Sequence, residues 1–140
     1  MARLWLTIGA SGGAMTVLLG AFGAHAMRGH VAESLLAIWE TATSYLGMHS
    51  MALLVCGLLL RHQPDLRSIA GAAWGFLLGS VLFSGSLFLL VLFNERSWGV
   101  ITPFGGLTLI AAWCMLAVGA WQSEGRKEAG NREGRGTAGR

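Results

Sequence analysis

Histidine, tyrosine and hydroxyl side chains are costly inside long apolar runs, and in this chain they recur there at helical intervals. Thr41, Tyr45 and His49 follow one another at steps of four. On a helix they form one polar stripe, with Glu40 beside its outer end. His25 closes an earlier apolar run, Ser84 and Ser86 sit inside a later one, and Thr102 opens the last. The chemistry open to such a set is proton transfer, with His49 titrating and the hydroxyls of Tyr45 and Thr41 relaying, or passage of a small polar solute. The competing role is structural. A neutral histidine bonded to Ser84, Ser86 or a backbone carbonyl would set the register of two helices, and this is the reading the residues favour.

Other chemistries find less. A metal site would need His25 and His49 with Met27, Met48 or Met51 as soft auxiliaries, and haem the same histidines or one with a methionine. Nothing in the spacing brings the two together. Cys56 and Cys114 stand alone in separate apolar runs, without metal-ligand spacing. Phe83-Ser84-Gly85-Ser86-Leu87 lacks the Gly-x-Ser-x-Gly pattern and the preceding strand of a nucleophile elbow. Gly9-Ala10-Ser11-Gly12-Gly13 lacks the Lys-Ser/Thr pair of a phosphate loop. The expectation is a chain that is not an enzyme, with no cofactor and no metal ligand set.

The elements that must position these residues follow from the distribution of charge. Of the 140 residues, 54% are hydrophobic and only 12% charged, which is outside the ordinary range of soluble domains. Cutting at every Asp, Glu, Lys and Arg leaves four long uncharged stretches: Leu4 to Met27, Thr41 to Leu60, Ser68 to Asn94 and Ser97 to Ser123. Each reaches the roughly 20 residues a helix needs to cross the hydrocarbon core. Their composition does not alternate, so barrel strands are excluded and helices remain.

The reading is therefore all-α: a polytopic four-transmembrane-helix bundle over residues 1–122, with helices at about 4–25, 41–60, 69–93 and 98–121. Residues 28–40, with Arg28, Glu33 and Glu40 among Val31, Leu35, Leu36 and Ile38, read as a short interfacial helix that places Trp39 at headgroup depth. Gly71, Gly75 and Gly79 repeat at four-residue spacing and predict a close helix–helix contact. Pro103 is tolerated in a first helical turn. Residues 123–140, rich in Gly and charge, read as a disordered basic tail.

The formal charge of +3 points to nucleic acid only if position is ignored. With four spans, Arg3, Arg61, Arg67, Arg126, Lys127, Arg132, Arg135 and Arg140 fall on one side and only Arg28 and Arg96 on the other. That asymmetry places both termini in the cytoplasm. Arg3, the first apolar stretch and Ala24-His25-Ala26 also imitate a cleaved secretory signal. The stretch is longer than a usual signal core, however, and carries glycines at helix-packing intervals, so a retained span is expected.

Four blocks then carry a resemblance. They are Gly20-Ala21-Phe22-Gly23-Ala24-His25-Ala26; Trp39-Glu40-Thr41-Ala42 with Tyr45 and His49; Phe83-Ser84-Gly85-Ser86-Leu87-Phe88; and Ile101-Thr102-Pro103-Phe104-Gly105-Gly106 with Trp113. In this order the chain resembles the domain of unknown function 423 family. Trp39 stands where that family commonly has phenylalanine and Phe88 where it has tyrosine, both changes keeping an aromatic ring. The resemblance implies four helices in a bacterial inner membrane and no particular reaction, substrate or cofactor.

On this topology His25, Thr41, Tyr45, His49, Ser84, Ser86 and Thr102 are expected to line one polar pocket toward the periplasmic half. Two functions follow as expectations. One is an accessory or structural membrane protein that binds a protein or lipid partner, or a second copy of itself. The other is a small transporter or channel passing a proton, ion or small solute through that pocket. A narrow bundle without an inverted repeat or broken helix favours the first.

Overall fold

In the computed structural model the backbone is described for residues 1–137 and side chains for residues 1–123. Four helices account for most of it: α1 (Ala2–Phe22), α2 (Glu33–His62), α3 (Arg67–Phe93) and α4 (Thr102–Thr137). A π-helical turn, Gly23–Met27, extends α1, and a 3-10 turn, Arg96–Val100, precedes α4. Four segments, Ala2–Met27, Glu33–His62, Arg67–Phe93 and Arg96–Ser123, are long and apolar enough to span a membrane.

The connections are short, and their residues explain the stops. Gly29 takes a positive φ of 82° after the π-turn, and Asn94 caps α3 in the left-handed region at φ 49°. These are the residue types for which that conformation costs least. The turn at 63–66 and the first turn of α3 are tied to α4 at Gln122 and Ser123. Gln63 Nε2 donates to the Ser123 carbonyl and hydroxyl at 3.4 and 3.3 Å, and Ser68 Oγ to Gln122 Oε1 at 2.7 Å.

Two boundaries differ from the sequence reading. Residues from Glu33 to Glu40 are the opening turns of α2, with no break at Thr41. The amphipathic segment is thus part of the span. Trp39, expected at the lipid headgroups, packs inside the protein, 3% exposed, and donates its indole N–H to the Leu19 carbonyl at 2.9 Å. A tryptophan can serve either place, because its large apolar body buries well once the N–H has a partner. The second difference is at the C-terminus. The backbone of α4 runs helical to Thr137, past the end expected at about 121; the side chains of the expected tail lie outside the described residues.

The helices pack as a chain of neighbours: α1 on α2, α2 on α3, and α3 on α4. Glycine makes these contacts close. A Cβ on Gly75 would meet Ala112 Cβ at 2.8 Å, one on Gly79 would meet Leu109 Cδ2 at 2.6 Å, and one on Gly71 would strike Met115. The ridge read from spacing is therefore spent inside the molecule, on α4. At the α3–α4 crossing Gly105 lies against the Phe83 backbone itself, with no side chain that could yield. The main core joins Trp5, Cys56, Ile69, Phe76, Leu109 and Ala112 among others, and a smaller one gathers Met27, Trp39 and Val91.

Candidate functional site

The histidine that the polar stripe points to is in the heart of the bundle. His49, on α2, is 2% exposed. Its Nδ1 lies 2.7 Å from the Tyr45 carbonyl, and the Trp113 indole N–H donates to its Nε2 at 3.2 Å. An indole can only donate and a carbonyl can only accept, so the network assigns the ring proton to Nδ1 and leaves Nε2 bare. His49 is thereby held as one neutral tautomer with both nitrogens used. Rings close around it: Tyr45 at 5.8 Å, Phe76 at 5.8 Å and Trp113 at 6.1 Å between centroids, with Phe76 and Trp113 edge to face at 4.9 Å.

The remaining stripe faces elsewhere. Tyr45 is 38% exposed and stacks on Phe83 of α3 at 4.4 Å. Thr41 is exposed and returns its hydroxyl to the Ala37 carbonyl at 2.9 Å. Glu40 meets Arg28 at 3.9 Å, with both side chains largely exposed. His25 is exposed on the π-turn.

Ser84 and Ser86 part company for a simple reason: residues two apart on a helix project to nearly opposite sides. Ser86 shares a hydrogen bond of 2.7 Å with Thr102 at the α3–α4 boundary. Ser84 faces α1 and α2. The seven residues expected to form one pocket are thus distributed over several places, and only His49 with Tyr45, and Ser86 with Thr102, are brought together.

What emerges instead is a cleft. Because α1 packs chiefly on α2, its side toward α3 stays open, and a groove of about 530 Å³ runs between α1 and α3 over a floor from α2. Its walls include Gly12 and Met15 of α1, Ser50 of α2, and Ser80, Ser84 and Gly85 of α3. On α1 it reaches from Thr7 to Leu19, about 18 Å at the helical rise.

Two of the hydroxyls at this cleft, both on α3, differ from the back-bonded ones. Thr7, Thr16, Thr41, Thr43, Ser50 and Thr108 each donate to the carbonyl four residues back. Ser80 and Ser84, 7% and 1% exposed, have no hydrogen-bond partner among the described residues. A buried polar group left so costs about 1–3 kcal/mol. Gly85 beside them has nothing within 4 Å of where a Cβ would stand.

Sequence reasoning missed Trp113 as the partner of His49, Trp39 as the pin of α1, and Ser80 altogether. The signals for the tryptophans were present, since a buried indole seeks an acceptor. The acceptors, however, lie 64 and 20 residues away in sequence. Among the described residues no group of three or more His, Cys, Asp or Glu is placed to hold a metal ion.

The four apolar helices and their internal packing define a multi-pass α-helical membrane protein. Residues 19–106 match the family model described as protein of unknown function (DUF423). The chain belongs to that family. It is 37% identical over 123 residues to a UPF0382 membrane protein of Staphylococcus aureus, covering 88% of this chain and 99% of that one. It is 36% identical over 118 residues to the UPF0382 membrane protein YwdK of Bacillus subtilis, covering 84% of this chain and 96% of that one. No solved structure matches the chain.

Proposed function

We propose that this protein is a non-catalytic accessory component of the bacterial inner (plasma) membrane, with both termini cytoplasmic, that docks a transmembrane helix of a partner protein in the α1–α3 cleft. The observation that carries the reading is the open α1–α3 groove itself, in whose α3 wall Gly85 leaves free space and the Ser80 and Ser84 hydroxyls lie buried without a partner among the described residues. A lipid chain offers no acceptor, whereas a helix bearing a polar side chain or an accessible carbonyl offers one to a serine whose side chain turns toward the groove. Gly85 on the α3 wall, with nothing within 4 Å of where a Cβ would stand, lets a backbone come close. The orientation rests on the charge asymmetry of the loops.

The alternative is passage of a proton, ion or small solute, which needs the His, Tyr, Thr and Ser groups to share one wet path. Both nitrogens of His49 are engaged within the fold, and Ser84 and Ser86 face different sides of α3. Accessory docking therefore accounts for more of the geometry. A liposome flux abolished by His49→Ala would reverse this preference.

The test exploits two glycines with free space. Gly85→Leu fills the cleft, while Gly13→Leu adds the same bulk to α1 outside it, and neither Cβ meets an atom within 4 Å. Both variants should purify folded in mild detergent. Gly85→Leu should lose a stoichiometric partner that the wild type and Gly13→Leu retain. Equal retention in all three would remove the cleft from the account.

A further inference from the structure

At the end of the bundle holding the start of α1 and the α2–α3 turn, a second cavity of about 520 Å³ opens between the first turn of α1 and the last turn of α2. Its walls divide by chemistry. Arg3 and Arg61 supply cations, Leu6 and Leu60 supply apolar surface, and no carboxylate lines it. Asp65, in the following turn, is not part of the lining. The single ion pair among the described residues joins Arg28 to Glu40, away from this cavity. Arg3 and Arg61 thus have no counter-charge among those residues.

Helix stability explains only one of these arginines. Arg61 lies in the last turn of α2, where a cation complements the carbonyl end of the helix. Arg3 lies in the first turn of α1, which holds no acidic residue and no side-chain cap, so it sits at the end where a helix disfavours positive charge. Both residues lie within two residues of an end of an apolar segment long enough to span a membrane, Ala2–Met27 and Glu33–His62, where lipid phosphates meet the hydrocarbon core if those ends reach the interface. Toward the membrane centre, Arg3, Thr7, Ala10 and Ala14 follow at steps of four, three and four along one exposed face of α1. Apart from Thr7, which also borders the α1–α3 cleft, that face is apolar below Arg3.

We propose that this cavity binds the phosphate of an anionic lipid headgroup, with Arg3 and Arg61 sharing its charge and the acyl chains lying along the exposed face of α1. The site is separate from the α1–α3 cleft and stands whether or not a partner docks there.

The experiment uses the full chain in nanodiscs of phosphatidylcholine alone, of phosphatidylcholine with phosphatidylglycerol, and of phosphatidylcholine with added inorganic phosphate. Thermal unfolding and native mass spectrometry of retained lipid are the readouts. Phosphatidylglycerol should raise the unfolding midpoint and be retained as a bound lipid. Arg3→Gln and Arg61→Gln should each weaken retention about five-fold, while unfolding as the wild type does in phosphatidylcholine. Arg67→Gln removes a charge from the same end but outside the cavity, and should retain lipid normally. Equal loss in Arg67→Gln would reduce the effect to general surface charge and overturn the site. A full midpoint shift with inorganic phosphate alone would overturn the lipid in favour of a free anion.

Discussion

At the scale of residues, His49 shows how an intramembrane histidine can be consumed by structure. Its two nitrogens are spent on Tyr45 and Trp113, and three aromatic rings surround it. The bond and the packing can be separated. Trp113→Phe keeps most of the ring volume and removes the N–H, and interhelical hydrogen bonds average about 0.6 kcal/mol, so a small loss of stability is expected. Trp113→Ala also opens a cavity and should cost about 3–5 kcal/mol. Unfolding of both variants in detergent measures the difference, and equal large losses would mean that the hydrogen bond dominates.

The stripe that points to His49 was legible because a step of four is the helix repeat. Its partner was not, because Trp113 belongs to another helix and no local pattern encodes that distance. The expected pocket failed for an equally local reason: Ser84 and Ser86 were read as neighbours, and a helix turns them apart.

At the scale of elements, the four spans and the Gly71, Gly75, Gly79 ridge could be read from charge distribution and small-residue spacing. Which helix the ridge meets could not, since α1, α2 and α4 were all candidates. The glycines now sort by what surrounds them. Gly105→Ala pushes a methyl into the Phe83 backbone, and Gly75→Leu drives a side chain into Ala112. Both should destabilise the bundle strongly, as overpacking that backbone cannot absorb costs about 1–3 kcal/mol or more. Gly13→Ala meets nothing and should be neutral or stabilising by up to about 1 kcal/mol, from helix propensity alone. Thermal unfolding in one detergent ranks the three, and a destabilised Gly13→Ala would show that α1 has a contact on that side.

At the scale of the whole molecule, the bundle is asymmetric. The α3–α4 pair is tightly closed through glycine, whereas α1 is joined to the rest mainly through α2 and leaves a cleft toward α3. Hydropathy shows which segments enter the membrane but not which of their faces the fold covers, so this openness had no signature in the sequence. The unpartnered Ser80 and Ser84 lie in the wall of that cleft, which is the basis for proposing it as the docking site.

The measurement that bears most directly on this claim is photocrosslinking in native membranes from two positions. Val81 is exposed and lines the cleft, and Val17 is exposed on α1 outside it. A crosslinking residue at Val81 should yield one discrete protein adduct that Gly85→Leu suppresses, and at Val17 none. No adduct at Val81, or the same adducts from both positions, would contradict the cleft as the docking site.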